Sequence, residues 1–365
     1  MRAAVHRRSL AVAAVLLVMA AVVGSTQEYD GWRILESDHF RFIYEPAHEE
    51  AALEAYSYAE EVYELVTASL DYYPEEVPVV IRGRTARANG FYSPFPHQIN
   101  LFVTSPSGPY LGARGESWIK LLFIHEFTHY VHFANRKGAL GSLSRLFGHD
   151  LTAVHGVFYP GWLLEGITVT NESYYTEGGR GGNPFFAMKY RAFLEAGDFW
   201  SYRRSKFGSA YAPQDRIYLA GYLYVDYLRD NYGEEVMAEI HETFAQAPIL
   251  GIPWAVRRVT GVSARDLHNR MVARLYEEYE PTSSRSGRRR LSPEREGDWY
   301  LPIPTERGWY YYSRSHESAA SIRRAEDLGT GLSNSEEIVR GSLTDGYSFD
   351  VTGDGGTILF AATLP

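Results

Sequence analysis

The order of apolar and polar residues along the chain predicts short strands first and helices afterwards. Period-two alternation and short apolar runs bounded by turn residues predict strands over residues 40–44, 77–81, 90–92 and 98–103. Apolar residues at helical spacing predict helices over residues 47–70, 118–133, 162–174, 185–196, 217–232, 234–245 and 263–279. The segment 118–133 is apolar on most faces, as buried helices are. A strand-rich part followed by a helical part indicates the α+β class.

Three segments interrupt this pattern. Residues 138–160 form an irregular insertion, and the Gly-Gly-Arg-Gly-Gly-Asn run at residues 178–183 is expected to be a flexible loop. Residues 281–298 contain serine, glycine and several arginines without apolar periodicity, so we expect a linker there. This linker divides the chain into a larger unit over residues 28–280 and a smaller one over residues 299–365.

The smaller unit consists of short strand-like segments, with an Asp-Gly-Gly turn at residues 354–356 before the last of them. Repeated strands with such a turn resemble the blades of TolB-type or WD40-like propellers, and the resemblance implies a surface for a protein partner. A closed propeller needs at least four blades. We therefore expect an incomplete propeller-like segment, either a truncated product or a fragment whose β domain continues.

The N-terminus has the parts of a secretory signal. Arg2, Arg7 and Arg8 precede an apolar run over residues 10–23, and small residues follow it. This run is shorter than the roughly 20 residues that a membrane span requires. We expect residues 1–26 to act as a signal peptide or an uncleaved signal anchor, which would be the protein's only membrane contact. The expected location is periplasmic, cell-surface or secreted.

Composition excludes several kinds of chemistry. The formal net charge of −9 argues against nucleic acid as the main partner, because phosphate binding requires a basic surface. The absence of cysteine removes disulfides, thiolate nucleophiles and cysteine-ligated zinc. The hydrophobic fraction of 45% is ample for a large core.

The strongest chemical signal is His-Glu-Phe-Thr-His at residues 125–129, inside the apolar helix. Residues four apart share a helix face, so His125 and His129 can converge on one ion. Glu126 lies beside them, where a carboxylate can reach a metal-bound water. Buried histidines and glutamates are costly unless they are paired or bind metal. The alternative is a pair of hydrogen-bonded core histidines.

A catalytic zinc site needs a third protein ligand and one open position. His132 shares the helix but its backbone lies about 10 Å from that of His125, too far for one ion. Asn135 occupies the place of the third histidine of metzincins, which excludes that family. His149 and His155 in the insertion, and Glu165 in a later helix, remain as candidates.

The segment Trp-Leu-Leu-Glu-Gly at residues 162–166, together with the histidine motif, resembles the gluzincin metallopeptidases. The similarity is greatest to the branch of the membrane alanyl aminopeptidases. It implies a zincin-like domain over residues 28–280, with a small mixed sheet and a helical lobe. Zn²⁺ would be held by His125, His129 and Glu165, with Glu126 as general base. Glu172, seven residues after Glu165, would accept a hydrogen bond from a ligand histidine.

The resemblance has two departures. The segment between His129 and Glu165 is longer than in thermolysin or the aminopeptidases, and a loop insertion over residues 136–160 would absorb the difference. The Gly-x-Met-Glu-Asn segment that captures a free N-terminus in the aminopeptidases has no counterpart before His125. Exopeptidase action is therefore not implied.

The resemblance also implies a downstream tyrosine that stabilises the tetrahedral intermediate. Tyr218 and Tyr222 are the candidates, and Tyr222 is favoured. The expected substrate is a peptide or protein that pairs with an edge strand at residues 98–103. Two alternatives remain: a catalytically degenerate zincin scaffold whose propeller binds a protein, and a zinc hydrolase of non-peptide amides.

Overall fold

A computed structural model describes residues 31–83, 88–106, 117–135, 137, 142, 159–211, 213–279, 297–315, 317–327, 332, 335–341 and 349–360. These residues form a five-stranded mixed sheet, nine α-helices and a C-terminal four-stranded antiparallel sheet, with a further strand pair after it. The predicted α+β class is confirmed. The predicted signal at residues 1–26, most of the insertion and most of the linker lie outside the described residues.

The strands of the first sheet come before most of the helices. They are β1 Arg33–Glu36, β2 Phe40–Tyr44, β3 Val77–Arg82, β4 Gly90–Pro94 and β5 His97–Phe102. The helices are α1 Glu49–Leu70, α2 Trp118–Ala134, α3 Gly161–Tyr175, α4 Pro184–Glu195, α5 Tyr202–Ser205, α6 Arg216–Tyr232, α7 Val236–Gln246, α8 Gly251–Thr260 and α9 Ala264–Glu278. Short 3-10 turns occur at Pro46–His48, Arg180–Gly182 and Pro248–Leu250.

The order of the first sheet is β1-β2-β3-β5-β4, in which β2, β3 and β5 are parallel and β4 runs antiparallel to β5. The predicted edge strand at residues 98–103 is therefore wrong. The chain reverses after Pro94, so β4 lies outside β5 and takes the edge itself. Ile99, Asn100 and Leu101 are consecutive and all buried, as a central strand requires, whereas Phe91 of β4 is 42% exposed.

Helix α2 is buried on nearly every side, as its sequence predicts. Its Phe123 and Phe127 pack edge-on against Phe40 of β2, with ring centroids 5.1 and 5.0 Å apart. The helix starts at a capped end, since the Ser117 side chain accepts a hydrogen bond from the amide of Lys120 at 3.2 Å. Burial against the sheet and this cap together fix the position of the helix that carries the histidine motif.

Helices α3 and α6 cross in direct backbone contact. A Cβ added to Gly221 of α6 would lie 2.0 Å from the carbonyl oxygen of Trp162, and one added to Gly166 would lie 2.5 Å from the backbone of Gly221. Neither distance is sterically allowed, and backbone atoms cannot move aside as a side-chain tip can. Glycine at both positions is therefore what allows these two helices to approach so closely.

We predict that Gly221→Ala destabilises the fold by about 3 kcal/mol, at the upper end of overpacking costs, because the helices must separate. Urea denaturation followed by circular dichroism measures this free energy of unfolding. Gly161→Ala is the matched control, since Gly161 begins α3 and a Cβ there meets nothing within 4 Å. That change is expected to stay within about 0.5 kcal/mol of the parent. Equal effects of the two substitutions would contradict the backbone contact.

The C-terminal strands are β6 Gly297–Thr305, β7 Gly308–Ser315, β8 Ser321–Ala325, β9 Glu336–Arg340, β10 Phe349–Val351 and β11 Ile358–Phe360. Strands β6 to β9 pair in sequence order, and β10 pairs with β11. Phe349 and Val351 of β10 share a small apolar core with Tyr310 and Tyr312 of β7. Within the described residues these strands close neither a barrel nor a propeller.

None of the helices in the described part of the chain is both long and apolar enough to cross a membrane.

Candidate metal centre

Two helices bring three potential ligands together. Helix α2 presents His125 and His129, and α3 presents Glu165. Oε2 of Glu165 lies 3.4 Å from Nε2 of His125 and 3.6 Å from Nε2 of His129. One ligand atom from each of the three residues falls within 4.8 Å of the other two. The three residues therefore form a group that could hold a metal ion.

The spacing of these atoms fits zinc. Ligand atoms bound tetrahedrally at about 2.1 Å from an ion lie about 3.4 Å from one another. The carboxylate-to-imidazole distances of 3.4 and 3.6 Å are close to this value and too long for good hydrogen bonds. Oε2 of Glu165 is buried and has no hydrogen-bond donor among the described residues. A buried carboxylate oxygen facing two imidazole nitrogens in this way is well placed to bind a cation.

Glu172 is not one of the three candidate ligands but contacts one of them. It stands two turns after Glu165 on α3, and its Oε2 lies 3.0 Å from Nδ1 of His125. When Nδ1 carries the ring proton and donates a hydrogen bond to this carboxylate, Nε2 carries no proton and can bind a metal. The predicted contact between Glu172 and a ligand histidine is thus present in the geometry, and His125 is the histidine concerned.

The charges of the group shift one another's pKa. Burial opposes ionisation of Glu165 and Glu172, but their cationic neighbours outweigh it and hold the pKa of both carboxyls well below the ordinary value. For Glu172 the main such neighbour is Arg180, followed by His125. Burial likewise opposes the charge of His125, yet the two carboxylates raise the pKa of its imidazole. The site is therefore anionic in character and suited to a cation.

The ligands line one wall of a cavity of about 690 Å³. Glu126, which is 5% exposed, lies in the same wall. Strand β4 supplies the facing side through Phe91, Tyr92 and Pro94. The lining also includes apolar side chains of α2 and α3, namely Leu121, Leu122, Phe133 and Leu164. Glu126, the group that could hold a metal and an edge strand therefore share one cleft.

The two tyrosine candidates occupy different places. Tyr218 lines the cavity, and burial together with the charge of Glu165 raises the pKa of its hydroxyl. Tyr222, which the sequence favours, is not among the lining residues and packs on Phe186 and Gly181 instead. The two residues are one helical turn apart on α6. Of the two, only Tyr218 lines the cavity that contains the candidate ligands.

Among the described residues, the other ligand candidates are not part of this group. The His132 ring packs in the core against Tyr159 and His241, with ring centroids 4.0 and 4.5 Å away. Asn135 accepts a hydrogen bond from the amide of Lys137. His149 and His155 lie outside the described residues.

Arg180 is a site residue that the sequence analysis did not identify. It lines the cavity from the glycine-rich run, which forms a 3-10 turn packed on α3 rather than the expected flexible loop. Its only sequence signal is a single cation between two pairs of glycines, a pattern that is also common in solvated loops.

Comparison with known proteins supplies no relative: no protein-family model matches the chain, and no curated protein is significantly similar.

We predict that Glu165→Ala weakens zinc binding more than about 100-fold, because loss of an outer partner alone typically costs 10- to 100-fold. Competition with a chromophoric chelator measures the dissociation constant. Glu242→Ala, which removes an exposed carboxylate from α7, is the control and should leave zinc affinity unchanged. Unaltered zinc affinity in Glu165→Ala would remove this residue from the ligand set.

Proposed function

We propose that this protein is a zinc-dependent peptidase of the gluzincin type. The observation that carries the proposal is the convergence of His125, His129 and Glu165 on one point, with Glu126 beside them in the cleft wall. The two histidines and two glutamates that this kind of metal-assisted hydrolysis requires are all present at suitable positions. No thiol competes for the role of nucleophile, because the chain has no cysteine.

The architecture supports a zincin-like assignment for the larger unit. A helix carrying the histidine motif packs on a mixed sheet, and a second helix supplies the carboxylate ligand. The antiparallel edge strand β4 borders the cleft next to that motif. These features agree with the resemblance that the motifs at residues 125–129 and 162–166 suggest.

A zinc ion at this site would lower the pKa of a bound water and polarise the carbonyl of a substrate. The Glu126 carboxylate accepts the proton of the attacking water and passes it to the leaving amine. Its position directly after His125, with the side chain in the cleft wall, gives it access to both reacting groups. Glu172 holds the His125 ring through Nδ1 during these steps.

Tyr218 is the residue we assign to stabilisation of the oxyanion. Burial and the charge of Glu165 raise the pKa of its hydroxyl above the ordinary value, which favours the protonated form. A protonated hydroxyl close to the metal ligands can donate to the oxygen that becomes negative in the transition state. Tyr222 has a raised pKa as well, but it does not line the cleft.

Strand β4 is the surface on which we place an extended substrate. Its backbone pairs on one side with β5, and its other side is the edge of the sheet. An extended peptide can add to such an edge through main-chain hydrogen bonds, which are tolerant of sequence. The aromatic side chains of Phe91 and Tyr92 give the cleft an apolar wall for substrate side chains.

The remaining parts of the chain add two proposals. We propose that residues 1–26 direct export, on the basis of their sequence pattern. We also propose that residues 299–365 belong to a propeller-like domain that binds a protein partner. The four-stranded antiparallel sheet β6 to β9 has the strand number of one propeller blade, and β10 packs against it.

Glu126→Gln is the direct test of the peptidase proposal. We expect it to retain zinc but to lose activity towards casein and a peptide library by at least about 10²-fold, because the general base is removed. Zinc content is measured beside activity in both proteins. A wild-type protein that binds zinc without cleaving any peptide would favour a binding role or a non-peptide substrate instead.

Tyr218→Phe and Tyr222→Phe form a matched pair for the oxyanion assignment. We expect Tyr218→Phe to lower kcat about 10²-fold with little change in KM, because the lost hydrogen bond forms only in the transition state. Tyr222→Phe removes the same atom one turn away and should leave kcat within a few-fold. Steady-state kinetics on one fluorogenic peptide compares them, and a larger loss in Tyr222→Phe would reverse the assignment.

A further inference from the structure

Arg180 is a buried cation directly behind the metal ligands. Its Nε and Nη2 donate to the two carboxylate oxygens of Glu172 at 2.5 and 2.9 Å, and its backbone amide donates to the same carboxylate at 3.2 Å. Only 12% of its side chain is exposed, against 1% for Glu172. This paired, two-oxygen geometry holds a carboxylate in one orientation, which a single point charge does not.

The same guanidinium also reaches the ligand itself. Nη2 of Arg180 lies 2.8 Å from Nδ1 of His125, the atom that faces Glu172. Nδ1 can either donate to Glu172 or accept from Arg180, and only the first arrangement leaves Nε2 free to bind metal. A Glu172 carboxylate held against Nδ1 therefore favours the tautomer that leaves Nε2 free.

Two glycines place Arg180 in this position. A Cβ on Gly179 would lie 2.3 Å from the Cα of Ser173 in α3, and one on Gly181 would lie 2.4 Å from the Tyr222 hydroxyl. The amide of Gly181 also donates to the Ser173 hydroxyl at 2.8 Å. The turn is thus held against the helix that carries both Glu165 and Glu172, so Arg180 is a built-in part of the site.

Charge balance gives a second reason for a cation at this point. Glu126, Glu165 and Glu172 bring three carboxylates to one cavity, whereas a zinc ion supplies only two positive charges. The other cation in the cavity lining, Lys189, forms an ion pair with Asp215. With Arg180 included, the three carboxylates and the metal sum to zero, and no buried charge is left uncompensated.

We propose that Arg180 is a positioning residue for the metal centre, which orients Glu172 so that His125 presents an unprotonated Nε2 to the ion. The proposal rests on the zinc site assigned above. It adds an outer layer to that site: Arg180 holds Glu172, Glu172 holds His125, and His125 binds the metal.

The test is a double-mutant cycle on zinc affinity, measured by chelator competition on folded protein and independently of any peptidase assay. We expect Arg180→Gln and Glu172→Gln each to weaken zinc binding 10- to 100-fold. The double variant should bind zinc no more weakly than Glu172→Gln alone, because Arg180 acts through Glu172. Arg180→Lys, which keeps the charge but loses the two-oxygen contact, should recover part of the affinity.

Gly182→Ala is the control in the same turn, since a Cβ there meets nothing within 4 Å. It should leave zinc affinity unchanged. Thermal unfolding in the presence of chelator separates a positioning role from a structural one: a purely structural role would lower apo stability and leave the zinc dissociation constant of the folded protein unchanged. If Arg180→Gln does not fold, Arg180→Lys and the double variant, which buries no unpaired charge, decide the question.

Wild-type zinc affinity in Arg180→Gln or Arg180→Lys, or losses that multiply in the double variant, would overturn the role of Arg180 while leaving the zinc site intact. Absence of zinc binding by the wild type would overturn the site itself and this inference with it.

Discussion

The backbone contact between α3 and α6 is the constraint on which the geometry of the site depends. Gly166 directly follows the candidate ligand Glu165, and Gly221 stands one turn after Tyr218, so the crossing point of the two helices lies beside both of these side chains. A separation of about 1 Å would shift the carboxylate and the hydroxyl away from each other. Catalytic geometry is sensitive on that scale. The glycine after Glu165 is thus required by the packing of the two helices. It affects the site only through the positions that this packing gives to Glu165 and Tyr218.

A buried polar network links the second ligand helix to the first. The side-chain nitrogen Nδ2 of Asn171 on α3 donates to the hydroxyl of Thr128 on α2 at 3.2 Å and to the hydroxyl of Ser69 on α1 at 3.0 Å. Thr128 lies between the two ligand histidines, and Asn171 lies next to Glu172. Satisfied polar contacts inside an apolar core specify one arrangement, because any slip would leave a donor unpaired. This network therefore fixes the register in which Glu165 meets His125 and His129.

The sequence was most informative where helical spacing alone was enough to predict the local structure. A helix that is apolar on most faces and carries histidines four residues apart predicts a buried helix with both imidazoles on one face. Both features are present in the structure. The edge strand was misassigned because pairing order depends on where the chain reverses, which local alternation does not encode. Tyr218 and Tyr222 are one helical turn apart and share a helix face, so local sequence does not distinguish them; in the structure Tyr218 lines the cleft and Tyr222 packs on Phe186. Arg180 was missed because a glycine-rich run predicts a flexible backbone, whereas these glycines allow the turn to pack closely against α3.

Arg180 connects the two halves of the site. Its guanidinium holds Glu172 on one side, and the Tyr218 ring lies 5.0 Å from it on the other. A cation over an aromatic ring is attracted to its face, so the same charge that orients the histidine partner also packs the proposed oxyanion donor. Because the side chains of Arg180 and Glu172 are only 12% and 1% exposed, their ion pair lies in a medium less polar than water, where it is stronger than in water. The turn that carries Arg180 therefore contacts both the carboxylate partner of His125 and the proposed oxyanion donor.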